Sequence, residues 1–168
     1  VPPFPTEQAL AEIESSFGQP ASQLFANFEH EPLAAASIAQ VHGARLHSGD
    51  DVVVKILRPN VRELVRRDLE VMYALARLAE RWWPESRRLR PVEIVAEYEK
   101  TILNELDLVR EAANAAQLRR NWLGSPLIYV PQVYFDYCRK SVMVMERIHG
   151  IPIDDMEALQ AAGVNIPR

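Results

Sequence analysis

Lys55 is the residue best placed to do chemistry. The chain holds sixteen arginines but only three lysines, at positions 55, 100 and 140, and one of them directly follows Val52-Val53-Val54. A half-buried strand ending this way places an ammonium where it can act as a point charge on nucleotide phosphates. The competing reading is a strand-end lysine that snorkels to solvent. The run Ala34-Ala35-Ala36-Ser37-Ile38-Ala39, followed by Val41, favours the first reading. Alanine keeps such a loop small but lacks the freedom of glycine to adopt positive φ, so the loop is stiffer. Ser37 adds a hydroxyl that can reach a phosphate or a metal-bound water. A buried ammonium needs a carboxylate. Glu105, Asp107 and Glu111 are the candidates. On one helix, residues two apart point about 200° away from each other. Glu105 and Asp107 therefore cannot both face one partner, and Glu111 lies on a further face. One can meet Lys55 while the others meet something else or form a solvated surface.

These residues have the layout of a protein-kinase nucleotide clamp, G-x-G-x-x-G-x-V followed by V-A-I-K. Ala34, Ala36 and Ala39 stand at the three glycines, Val41 at the valine, and Lys55 closes the next strand. The apolar run Val142-Met143-Val144-Met145 leads into Glu146-Arg147-Ile148 and matches a kinase hinge. Met145 would stand behind the adenine, and the Glu146 carbonyl and Ile148 amide would bind its edge.

The elements that must position these groups follow from pattern. Thr6 can cap a helix over residues 6–17, stopped by Gly18. Residues 25–33 read as a first strand, and residues 38–46 and 51–57 as a hairpin across Ser48-Gly49-Asp50. Pro59 can open a helix, with Val61, Leu64, Val65, Leu69, Met72, Leu75 and Leu78 near helical spacing. Residues 84–90 read as a loop. Pro91 opens a second long helix over residues 91–122, ended by Gly124-Ser125-Pro126. Residues 129–137 and 141–148 read as a second hairpin, and Asp154 or Asp155 can cap a last helix. The expected fold is α+β: a kinase-like small lobe with a five-stranded antiparallel sheet and inserted long helices.

Composition sets outer bounds. The chain of 168 residues is 48% hydrophobic and 25% charged, an ordinary globular balance. A net charge of −4 lacks the basic footprint of a general nucleic-acid binder. Cys138 is the single cysteine and has no disulfide partner within the chain. His30, His47 and His149 show no metal-ligand spacing, and His42 reads as a strand histidine with a satisfied hydrogen bond. No apolar run has membrane-span length and no secretory leader pattern is present, so a soluble piece is expected. The start at Val1 and the stop at Asn165-Ile166-Pro167-Arg168 read as those of a piece of a longer protein.

The segments 34–44, 52–60, 105–115 and 143–150 together resemble the UbiB family of atypical protein-kinase-like proteins, most closely its bacterial members. The carriers are Ser37-Ile38-Ala39-Gln40-Val41-His42 in place of the glycine loop, and Glu105-x-Asp107 followed by Arg110-Glu111-Ala112-Ala113-Asn114. The resemblance implies a nucleotide site made of Ala34, Ala35, Ala36, Ser37, Ala39, Val41, Lys55, Glu111, Met145, Glu146 and Ile148, with Glu111 as the helix partner of Lys55. It implies that Glu105 and Asp107 are the family's acidic motif. It also implies ATP or ADP with Mg²⁺, and ATP hydrolysis in support of ubiquinone biosynthesis at the cytoplasmic face of the bacterial inner membrane. Lipid quinone precursors and other quinone-biosynthesis proteins are the partners it implies. The chain has no Lys-x-Gly-Gln, no Asp-Phe-Gly and no kinase catalytic loop. No catalytic residue and no metal ligand is therefore expected within it. Residues 1–5 read as a linker, 6–150 as the small lobe, and 151–168 as the hinge exit and the start of a large lobe. Two rivals remain: a pseudokinase scaffold for quinone-biosynthesis enzymes, and a lipid-surface module carried by Trp82, Trp83 and Arg87 to Arg90.

Overall fold

The computed structural model describes residues 2–83 and 88–163. Val1, Arg87 and Asn165-Ile166-Pro167-Arg168 lie outside the described residues, as do positions 84–86 of the expected loop.

Four strands form one antiparallel sheet in the order β1 (Phe25–Ala35), β2 (Ala39–Leu46), β3 (Asp51–Leu57) and β4 (Val142–Glu146). The expected fifth strand over residues 129–137 does not form. Its remnant is a single bridge between Val133 and Met145, followed by a 3-10 turn at Phe135–Tyr137. Pro131, which has no N–H to donate, sits in this stretch. The 3-10 turn then takes the chain off the sheet edge.

Helix α1 (Thr6–Phe17) packs on one face of the sheet. Gly18 ends it at φ 70°, the left-handed conformation that glycine adopts cheaply. Thr6 does not cap the helix as expected; its hydroxyl donates to the His30 carbonyl at 2.7 Å. Ala9 and Ile13 meet Val52, Val54, Ile56, Val142 and Val144, all sealed from water. Each large side chain buried this way contributes roughly 1.5–3 kcal/mol. Phe4, in the segment read as a linker, is buried in the same core. The short α2 (Ala21–Leu24) leads into β1.

The opposite face of the sheet receives α5 (Leu108–Asn121). Here the sequence pattern suggested one helix over residues 91–122, and the structure breaks it. Helix α4 (Pro91–Glu105) ends at Leu106, and Asp107 becomes the N-cap of α5, its carboxylate accepting from Val109 N–H at 3.1 Å. An aspartate competes well for this capping role, which offsets the helical bonds lost at the break. Leu106 and Leu108, both fully buried, flank the cap and wedge the break into the core.

Helix α3 (Val61–Trp82) pairs with α4 through Leu69, Ala76 and Val95. Leu64, Val71, Leu75, Leu78 and Trp82 recur on another stripe of α3 and are exposed. The last helix, α6 (Met156–Ala161), starts after Asp155, whose carboxylate accepts from Ala158 N–H at 3.0 Å. Asp155, rather than Asp154, is therefore the cap.

Candidate functional site

Strand alternation puts Ala39, Val41 and Gly43 of β2 on one face of the sheet. In register, Val41 lies opposite Lys55 and Lys55 opposite Met143; Gly43 lies opposite Val53 and Val53 opposite Met145. Two rows of side chains thus cross the face that meets α5. Lys55 points its ammonium at Glu111 on the first turn of α5, with Nζ 2.6 and 2.8 Å from the two carboxylate oxygens. Both side chains stay partly open, 26% and 41% exposed.

The break before α5 sets this geometry. Asp107 fixes the first turn, and the Leu108 N–H donates to the Lys140 carbonyl at 3.0 Å, pinning α5 to the turn before β4. Arg62 also donates to the Leu106 carbonyl. Glu111 lies one turn past the cap and reaches Lys55.

A cavity of about 430 Å³ opens beside the pair, lined by Lys55, Asn104, Glu105, Arg110, Glu111 and Asn114. Glu105 shares this space, whereas Asp107 is engaged with its own helix terminus. The helical reasoning that separated the two by 200° does not apply, because they sit on either side of the break. Arg110 and Asn114 belong to the motif that carries the resemblance but, like Asn104, are not among the site residues expected from sequence. Asn114 stands three residues after Glu111, a helical spacing that could have flagged it. Arg110 donates to Asn104 at 2.6 Å and closes one wall.

The alanine loop closes on itself. Ala34 pairs with Val41 and Ala35 with Gln40, and the Ala36 N–H donates to the Ala39 carbonyl at 2.8 Å. No residue of this loop has a positive φ, so the turn does not call for glycine. The Arg58 guanidinium donates to the Ala36 carbonyl at 3.1 and 3.2 Å and to the Pro2 carbonyl at 2.7 Å, holding the loop down. Ser37 is exposed, and Ala39 is buried beneath it.

Behind the loop runs a buried polar chain. The Phe4 N–H donates to Gln40 Oε1 at 3.0 Å, and Gln40 Nε2 lies 2.7 Å from His42 Nε2. His42 Nδ1 lies 2.9 Å from the Glu29 carbonyl, which can only accept. Nδ1 therefore carries the proton and Nε2 accepts from Gln40. Burial holds the His42 pKa below its ordinary value.

At the other end, Met145 is half-buried opposite Val53. The Glu146 carboxylate turns away to accept from Tyr129 at 2.6 and 2.8 Å and from Gln132 N–H at 2.9 Å. The Tyr129 bond, then the Gln132 amide, hold its pKa below the usual carboxylate range. Among the described residues, the Ile148 N–H has no hydrogen-bond partner. That is an open donor at the strand exit.

No group of three or more His, Cys, Asp or Glu side chains among the described residues could hold a metal ion. Of the two carboxylates that line the cavity, Glu111 is engaged by the Lys55 ammonium, which leaves Glu105 beside it.

A four-stranded antiparallel sheet flanked by helices, with a lysine answered by a helix carboxylate, is an α+β arrangement of the kinase-like class. Residues 1–167 match the ABC1 atypical kinase-like domain, and the chain belongs to that family. It is 62% identical over 160 residues to a probable protein kinase UbiB of Pseudomonas paraeruginosa, covering 95% of this chain and 30% of the relative. It is 60% identical over 166 residues to the corresponding protein of Marinobacter nauticus, covering 99% of this chain and 30% of that one. The chain thus spans about a third of the length of these curated relatives. Among solved structures, the Rv3197–erythromycin complex from Mycobacterium tuberculosis superposes with a TM-score of 0.77 at 29% identity, over 92% of this chain and 38% of that one.

Proposed function

We propose that this chain is the nucleotide-binding lobe of an atypical kinase-like ATPase that supports ubiquinone biosynthesis. The observation that carries the reading is the Lys55–Glu111 pair, which lines an open cavity together with Asn104, Glu105, Arg110 and Asn114. In kinase phosphoryl transfer, such a lysine–glutamate pair positions the nucleotide phosphates. Val41, Val53 and Met145 would bound the adenine, and the free Ile148 N–H would read its edge. Ala34, Ala35, Ala36 and Ser37 would cover the phosphates. The partly open state of the pair suits a site in which Glu111 holds the ammonium while its remaining donors meet phosphate oxygens.

The chain spans only about a third of its curated relatives, so hydrolysis is assigned to the intact protein. Mg²⁺ would be held by the nucleotide and by groups outside residues 1–168. Residues 6–150 form the lobe in this reading, and 151–168 lead out of it. Lipid quinone precursors and the inner-membrane surface belong to the same proposal. The exposed stripe on α3, ending in Trp82 and Trp83, supports a surface role, since tryptophan suits a lipid interface.

ATP hydrolysis by the full-length protein, compared with Lys55→Ala, tests the assignment. Turnover lost in a variant that still folds supports it. Turnover kept at the original rate contradicts it, and no turnover from either favours a scaffold.

A further inference from the structure

The nucleotide reading leaves one partly buried contact unexplained. Arg147 directly precedes Ile148, the residue with the open N–H. Its guanidinium Nη1 lies 2.5 Å from Glu29 Oε1, with the two side chains 24% and 37% exposed. The partners are 118 residues apart and belong to opposite edges of the sheet, since Glu29 is on β1 and Arg147 follows β4.

Two features let the pair reach across. The first is an irregularity in β1. Phe28 pairs with Ala44 and Pro32 with His42, so residues 29–31 all stand opposite Gly43. This bulge lets Glu29 serve both faces: its carbonyl takes the His42 Nδ1–H bond, while its carboxylate goes to Arg147. The second is Gly43 itself. Its φ is not positive, so the backbone there does not require glycine. What requires it is space: a Cβ at this position would have all three Glu29 carboxylate atoms within 2.6 Å. The carboxylate lies on the glycine.

Gly43 belongs to the row Gly43, Val53, Met145, next to the row that holds Lys55. The pair therefore lies on the nucleotide face, at the end where the strand exit would read a base. Arg147 is held there twice, by its N–H on the Asp51 carbonyl at 3.1 Å and by its side chain on Glu29.

We propose that the Glu29–Arg147 ion pair, seated on Gly43, is a positioning latch for base recognition: it fixes the Ile148 N–H relative to the strand that leads into the alanine loop. The inference rests on the nucleotide reading and adds to it a set of residues that govern selectivity for the purine base. The latch touches no phosphate-binding group, so its loss acts on the base end of the cleft.

The test is the ratio of ATP to GTP affinity, measured on the full-length protein by displacement of a fluorescent ATP analogue. Three variants remove the latch by different routes: Glu29→Gln keeps the shape, Arg147→Met removes the cation, and Gly43→Ala displaces the carboxylate without altering either charge. Each is expected to lower the ATP:GTP ratio about tenfold, a modest share of what misplacing a binding group by an ångström can cost. Arg147→Lys, which keeps the cation, is expected to recover part of it. A purely structural pair would weaken both nucleotides alike. An unchanged ratio in the folded variants, or no discrimination in the unaltered protein, overturns the latch while leaving nucleotide binding in place. Failure of the unaltered protein to bind the analogue overturns the nucleotide reading as well.

Discussion

Lys55 on β3 and Glu111 on α5 meet at 2.6 and 2.8 Å although they stand 56 positions apart in the chain. The contact joins sheet to helix at the mouth of a cavity, and neither side chain is sealed from water. Exposed pairs of this kind contribute little to stability. We therefore expect a Lys55→Ala, Glu111→Ala double-mutant cycle in urea to give a coupling of at most about 1 kcal/mol. Nucleotide binding should be lost in each single variant. A coupling of several kcal/mol would mean that the pair is a structural strut.

Asp107 should matter to stability as a helix cap. Asp107→Ala removes the acceptor for the Val109 N–H and is expected to cost about 0.5–2 kcal/mol in chemical denaturation, with Asp107→Asn costing much less. Equal losses would show that charge, not capping, is what Asp107 contributes.

His42 gives the fold a pH dependence of definite sign. Burial lowers its folded-state pKa below the ordinary value of 6.5, so the unfolded chain takes up the proton first as pH falls. The stability contributed by the neutral ring is fully present above pH 6.5 and is lost as pH drops from there through the folded-state pKa. A protonated ring would also set a second N–H against the Gln40 amide. Thermal melts should show this slope in the unaltered protein and a shallower one in His42→Gln. The same slope in both would assign it to other groups.

Cys138 should be inert while the protein is folded. It is buried, its thiol donates to the Tyr134 carbonyl at 3.3 Å, and burial raises its pKa. Thiolate is the reactive form. Alkylation at neutral pH is expected to be slow in the native state and fast in denaturant. Rapid labelling of native protein would contradict this packing.

The parts of the lobe carried by local pattern could be read from the residues. Alternation around Ser48-Gly49-Asp50 marked the β2–β3 hairpin, and Lys55 at its end marked the cleft. The helix break at Leu106 was hidden because the apolar spacing runs through it. Only the capping competition at Asp107 and the anchoring of Leu108 to Lys140 reveal it. The missing fifth strand was masked by residues with good strand character, while Pro131 and the turn at Phe135–Tyr137 decided otherwise. The Glu29–Arg147 contact was beyond reach, because it depends on the bulge in β1 and on the space left by Gly43.

The most direct measurement is a calorimetric titration of the protein with Mg-ATP and Mg-ADP beside Lys55→Ala, with both proteins shown to be folded. The account predicts saturable binding to the unaltered protein that disappears in the variant. Equal binding by the two, or none by the full-length protein, would contradict the assignment of this cleft to a nucleotide.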